Sequence, residues 1–166
     1  ISDLNKENIV INGKPLVFEP ISEDDAADPK QGTSAAQKLI DLNVVGIIGH
    51  LNSGTTMPAS AMYNKAKIPQ ISPSATIPKY TQQGFKFAFR VVANDVQLGG
   101  TLGKYGYTKL KAKTVAVIDD RTAYGSGVAN EFIKGFNRAG GNVISQQYTN
   151  DKATDFIAPE ISGLEI

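Results

Sequence analysis

Short runs of β-branched and aliphatic residues alternate with longer segments of helical periodicity along most of the chain. Ile1 to Glu7 (ISDLNKE) puts Ile1 and Leu4 on one face, which predicts the last two turns of an amphipathic helix whose beginning precedes the first residue. Ile9 to Ile11 and Leu16 to Ile21 flank Asn12-Gly13, a strong hairpin signal, while Pro15 and Pro20 confine these strands to an edge or a strand end. Asp28 predicts an N-cap with Pro29 at the first helical position, and Ala35, Ala36, Leu39, Ile40 and Leu42 form the stripe that such a helix would bury. A short apolar strand, Val44 to Ile48, follows.

The same grammar continues with a helix from about Thr55 to Lys65, strands Pro69 to Ser72 and Phe87 to Val92, and a helix from Val96 to Leu110. Thr114 to Asp119 (TVAVID) predicts a strand, Tyr124 to Arg138 a helix closed by Gly140-Gly141, Val143 to Tyr148 a strand, and the residues after Thr154 the start of another helix. Pro159 fits that last helix poorly, since past the first turn it removes a hydrogen bond. Strands of this kind, separated by helices, indicate an α/β fold with a doubly wound, mostly parallel sheet. Lys109 to Lys113 (KLKAK), basic and weakly apolar, is the expected hinge. It divides the chain at about Lys111 to Lys113 into a lobe of residues 1–111 and the beginning of a second lobe, 112–166.

With 166 residues and 41% hydrophobic composition, the chain can bury one good core but scarcely two complete domains, so one domain plus a fragment is expected. Seventeen basic against 16 acidic residues give a formal charge of +1, which offers no electrostatic reason for a nucleic-acid or anionic-membrane partner and suits a small ligand without net charge. Cysteine is absent and histidine occurs once, removing disulfides, thiolate chemistry and histidine-rich metal clusters. There is no run of 18 apolar residues. The chain starts at Ile1 without a signal-peptide pattern, so any export signal is expected to have been removed or never included.

Ligands of open parallel sheets bind beyond the carboxyl ends of the strands. Three loops occupy such positions. Gly49 to Thr56 (GHLNSGTT) precedes a helix in which Pro58 is expected in the first turn, leaving Ser53 just ahead of the helix N-terminus. In Ser72 to Thr76 (SPSAT), Ser74 and Thr76 lie two apart around Ala75 and can face the same way. Asp119 to Gly127 (DDRTAYGSG) puts Tyr124 at the mouth of the next helix. A free amino acid needs donors for its carboxylate, acceptors for its ammonium and a surface for its side chain. Two hydroxyl-rich loops and a helix N-terminus supply the first of these, and Tyr124 supplies an aromatic lid.

GIIGHLNSGTTMPAS, followed by IPQISPSAT and VAVIDDRTAYGSG, resembles the leucine/isoleucine/valine-binding proteins, type I periplasmic binding proteins of branched-chain amino acid ABC transporters. The resemblance covers nearly the whole chain, with three motifs in order. It implies a two-lobed protein, outside the cytoplasm in the periplasm, that closes on a branched-chain or related amino acid and delivers it to a membrane permease, with no cofactor. It also implies that Ser53 and Thr76 bind the α-carboxylate through side chain and backbone, that the Ser74 carbonyl receives the α-ammonium with Ala75 beside it, and that Tyr124 packs over the ligand. The family's first strand would precede Ile1, and most of its second lobe, with the acidic partner of the ammonium, would follow Ile166.

Each of these residues also has a plainer reading. Ser53 can be a cap, Ser74 and Thr76 can shape the turn before Pro78, and Tyr124 can be helix-start packing. His50 reads as hydrogen-bonded within its loop. Asp119 and Asp120 point to opposite faces of a strand, so capping or loop-holding is expected rather than shared acid/base work. Tyr105 and Lys109 match a YxxxK pair, and Leu98 to Gly103 (LGGTLG) faintly resembles a dinucleotide loop, but these glycines lie inside a helical stretch rather than at a strand-to-helix turn. An enzyme is therefore not expected. The alternative of a different class is a ligand-binding module of a sensor for amino acids or amides.

Overall fold

The computed structural model describes residues 1–154; the helix expected after Thr154, with Pro159, lies outside the described residues. The chain opens with the short helix α1 (Ser2–Lys6) and a hairpin of β1 (Val10–Ile11) and β2 (Lys14–Pro15), turned by Asn12 and Gly13, both at positive φ. Leu16 to Ile21 is not the second strand. Phe18, in the middle of that stretch, has both backbone groups satisfied by the Asn5 side chain, at 2.8 and 3.0 Å, leaving nothing for a strand partner. α2 (Pro29–Asp41) begins as expected, with Asp28 Oδ1 accepting from the amides of Lys30 and Gln31.

β3 (Ile47–Ile48), β4 (Gln70–Ser72) and β5 (Ala88–Arg90) form a parallel sheet in that order. α3 (Ser53–Ala66) connects the first two strands, and α4 (Lys79–Gln82), a helix without a clear sequence signal, lies between the second and third. Ile47, Gln70 and Ser72 are buried, and Ile47 joins Ala36, Leu39, Ala59 and Tyr63 in the core between the sheet and the pair α2 and α3. The opposite face, with Ile48 81% exposed and Ile71 and Phe89 beside it in register, is left open by the described residues.

β6 (Thr114–Asp119) and β7 (Asn142–Tyr148) form a second parallel pair, joined by α6 (Ala123–Arg138). α5 (Asp95–Thr108) follows β5 in sequence yet packs along α6. Glycines set the closeness. A Cβ on Gly99 would meet the Val128 carbonyl oxygen at 2.5 Å, one on Gly103 the Phe132 oxygen at 2.3 Å, and one on Gly135 the Gly100 oxygen at 2.3 Å, so the two backbones touch. The expected division at about Lys111 to Lys113 thus falls between two interlocked helices. The run LGGTLG has its explanation here too, as a packing surface rather than a phosphate loop.

Candidate functional site

The loop leaving β3 becomes helix two residues earlier than the expected start at Thr55. Asn52 is the N-cap, in extended conformation, and Ser53 is the first residue of α3. The reason lies in the acceptor: Asn52 O takes both the Thr56 amide (2.9 Å) and the Thr55 hydroxyl (3.1 Å). Pro58 consequently falls in the second turn, where its missing N–H leaves the Gly54 carbonyl without its intrahelical donor. No side chain caps this helix. The amides of Ser53, Gly54 and Thr55 precede the first intrahelical bond, and with the positive end of the helix dipole they form a seat for an anion.

The loop after β4 is stitched to this helix start. Ser72 Oγ donates to the His50 carbonyl (3.1 Å) and accepts from the Ala75 amide (2.9 Å). Ser74 Oγ donates to the Leu51 carbonyl (2.6 Å), and the Ile77 amide donates to Ser53 Oγ (3.4 Å). Ser53, Ser74, Ala75 and Thr76 are therefore brought together at one end of the β3–β5 sheet. Ser53 is 1% exposed and Ala75 and Thr76 are also buried, and the start of α6 lies beside the α3 N-terminus: a Cβ on Gly54 would lie 3.9 Å from the Ala123 methyl. The Thr76 hydroxyl is buried without a hydrogen bond. Tyr124, in the first turn of α6 beside Ala123, is 45% exposed and lines an open depression with Ile118, Val128 and Phe132.

Beneath the loop runs a polar chain that no sequence spacing announced. His50 lies between Asp25 Oδ2, 2.7 Å from its Nδ1, and the Tyr63 hydroxyl, 3.1 Å from its Nε2. A carboxylate only accepts, so the neutral ring carries its proton on Nδ1 and Nε2 accepts from Tyr63. Burial works to raise the Asp25 pKa, but hydrogen bonds, from His50 above all and from the Ala27 amide, outweigh it and hold Asp25 below its ordinary value. Tyr63, wholly buried and close to the Asp25 charge, is pushed up to about 12 and remains a donor. The His50 carbonyl in turn accepts from the hydroxyls of Thr56 and Ser72, so one residue fixes both loops. His50 is hydrogen-bonded, as expected, but its acidic partner lies 25 residues away rather than within its loop.

Asp119 and Asp120 hold the third loop. Asp119 Oδ1 accepts from the Arg121 amide (2.9 Å) and the Ser126 hydroxyl (3.0 Å), whereas Asp120 Oδ1 accepts from the amide and hydroxyl of Thr122, the N-cap of α6.

Known proteins carry the same pattern. A family model described as periplasmic binding protein matches residues 1–160. A Leu/Ile/Val-binding protein homolog 1 of Brucella abortus is 43% identical over 148 residues, which cover 89% of this chain and 39% of that protein. The leucine-, isoleucine-, valine-, threonine-, and alanine-binding protein of Pseudomonas aeruginosa is 37% identical over 95% of this chain and 42% of its own length. Among solved structures, the branched-chain amino acid transporter substrate binding protein LivJ of Streptococcus pneumoniae, in complex with isoleucine, superimposes with a TM-score of 0.84 at 27% identity, covering 99% of this chain and 46% of that one. The chain thus spans about two fifths of the length of the relatives it matches.

Proposed function

Because the chain belongs to the periplasmic binding protein family, we propose that it carries the carboxylate-binding part of a protein that captures a branched-chain or related amino acid outside the cytoplasm and delivers it to an ABC transporter permease. The observation that carries this reading is the uncapped N-terminus of α3, with the amides of Ser53, Gly54 and Thr55 free of side-chain acceptors and the loop that carries Thr76 tied to it by the Ile77 amide donating to Ser53 Oγ. Amide donors and a hydroxyl gathered at a helix dipole suit an α-carboxylate. The Ser74 carbonyl would be the acceptor for the ammonium, and Tyr124, exposed in the first turn of α6, would cover the side chain. The relatives named for leucine, isoleucine and valine support the ligand class. We read the chain as a binder rather than an enzyme, since Asp119, Asp120 and the α5 glycines all have structural work. The interlock of α5 with α6 further supports a division between lobes ahead of α5, near Asn94, instead of at Lys111 to Lys113.

Calorimetric titration of the protein with leucine, isoleucine and valine tests this. Ser53→Ala combined with Thr76→Ala is expected to weaken binding by roughly 3 kcal/mol or more, as each charge-assisted hydrogen bond contributes about 1.5–3 kcal/mol. Unchanged affinity in the double variant would remove the site.

A further inference from the structure

At the passage from β5 into α5 the chain buries a carboxyl group for which the fold gives no local reason. Asp95 is the first residue of α5 and 1% exposed. It does not serve as the cap, because Asn94 and Gln97 already satisfy each other there through side chain and amide, at 3.1 Å in both directions. Apart from each other, neither the oxygens of Asp95 nor the neighbouring hydroxyl of Thr76 has a hydrogen-bond partner among the described residues. The Asp95 amide donates to the Thr76 carbonyl (3.0 Å), which holds the two residues together. On the far side Oδ2 presses on α6, where a Cβ added to Gly127 would approach it to 2.5 Å.

Two orphaned groups side by side, a hydroxyl and a carboxyl, can satisfy each other in two ways. If Asp95 is ionised it can only accept, and the Thr76 proton turns toward it. If Asp95 is protonated, its own O–H donates to Thr76 Oγ1 and the Thr76 proton is free to point elsewhere. An ionised carboxylate buried without donors is among the costliest groups in a protein, which favours the protonated arrangement.

We propose that Asp95 is a positioning residue for the ligand: protonated, it donates to Thr76 Oγ1 and so aims the Thr76 hydroxyl proton at the α-carboxylate seated on the α3 N-terminus. This assignment rests on the reading of Ser53 and Thr76 as the carboxylate site. Burial is the largest influence on Asp95 and raises its pKa; the Thr76 hydroxyl and Arg90 of β5 oppose this, and Glu131 of α6 adds to it, with a net upward shift. As pH rises through that raised value, Asp95 loses its proton, recaptures the Thr76 hydroxyl and sets a second negative charge beside the ligand's own. Affinity therefore falls with rising pH.

Titration of the protein with L-leucine from about pH 4, near the ordinary Asp value, to about pH 7, a window in which neither group of the free amino acid titrates, reads this out. The parent should lose affinity about tenfold or more across the range, the worth of one charge-assisted hydrogen bond. Asp95→Asn keeps a donor for Thr76 and cannot ionise, so it should bind leucine with a flat profile; Asp95→Ala should bind weakly throughout. Thr76→Val, which leaves Asp95 in place, should reduce the slope to the part that the Asp95 charge alone contributes. A parent-like slope in Asp95→Asn, or a flat parent, overturns the assignment. If Ser53→Ala and Thr76→Val leave leucine binding intact, it is the carboxylate site itself that fails. If they weaken it while Asp95→Asn keeps the parent's slope, only the role of Asp95 is lost.

Discussion

The half of the molecule built on β3–β5 and the half built on α5, α6, β6 and β7 solve the packing problem by different means. The first surrounds a conventional apolar core, Ala36, Leu39, Ile47, Ala59 and Tyr63, and at one edge runs into a layer of buried polar residues: His50, Ser53, Thr55, Thr56, Ser60, Gln70 and Ser72. The second has few fully buried side chains, with Phe136 as the largest, and brings two helix backbones into contact through glycine. Polar side chains at a strand end can aim donors, but each must be satisfied. Backbone contact aims nothing, yet it holds α6 rigidly enough for its first turn to act as a wall over the α3 N-terminus. One half gathers hydrogen-bonding groups and the other is held together by backbone contact.

Breaking the glycine interlock should have the largest effect. Gly103→Val would force side-chain atoms into the Phe132 carbonyl and the Phe136 amide, both of which are helix backbone and cannot rotate aside. Overpacking typically costs 1–3 kcal/mol, and here the obstruction is backbone, so a loss of about 3 kcal/mol or more is expected in urea denaturation. Gly100→Ala, where an added Cβ meets nothing within 4 Å, is the matched control and should be nearly neutral or slightly stabilising. Similar losses at both positions would mean that the close approach at Gly103 is not what sets the cost.

The polar half is broken more gently. Tyr63→Phe keeps the packing of a wholly buried ring and removes only the hydroxyl that donates to His50 Nε2. Orphaning that nitrogen should cost about 1–3 kcal/mol in denaturant, since a buried acceptor loses its partner while no cavity forms. It should also loosen the loops that the His50 carbonyl fixes, so leucine affinity is expected to fall along with stability. A loss of stability with affinity untouched would separate this chain of hydrogen bonds from the site above it.

The two halves were also unequally legible. Alternation of β-branched runs with helical stripes was enough to predict the parallel α/β fold, and local chemistry placed the Asp28–Pro29 helix start and the Asn12-Gly13 turn, because each of those signals is complete within a few residues. Candidate binding residues Ser53, Ser74, Ala75 and Thr76 were found from strand-end position and resemblance, and the fold brings them together, although their hydroxyls are more enclosed than loops suggest. What escaped detection depends on distance in sequence. Asp25, His50 and Tyr63 meet across 38 positions, and Asp95 reaches Thr76 and Gly127 from separate elements. The pairing of α5 with α6 did leave a trace, in the spacing of four between Gly99 and Gly103.

The smallest expected effect lies at the solvent end of the polar chain and distinguishes it from Asp95. Asp25 is held below its ordinary value of 3.8, so the contribution of its pairing with His50 is present above that value and is lost as pH falls through the lowered one. Asp95 is shifted the other way, so its protonated state is favoured just where Asp25 stays charged. Asp25→Asn should therefore lower stability relative to the parent near neutral pH, and the difference should shrink as urea midpoints are followed from about pH 5 down to about pH 3, where the parent's carboxylate is also being neutralised. Asp25→Asn leaves Asp95 unaltered, so the fall in leucine affinity as pH rises through the raised Asp95 value should persist in it. A stability gap that stays constant through the acid range would show that Asp25 acts by shape alone. If the binding slope disappeared in Asp25→Asn, the pH response would be assigned to the His50 chain, and the contrast between a half that titrates beneath the loops and a carboxyl that titrates beside the ligand would collapse.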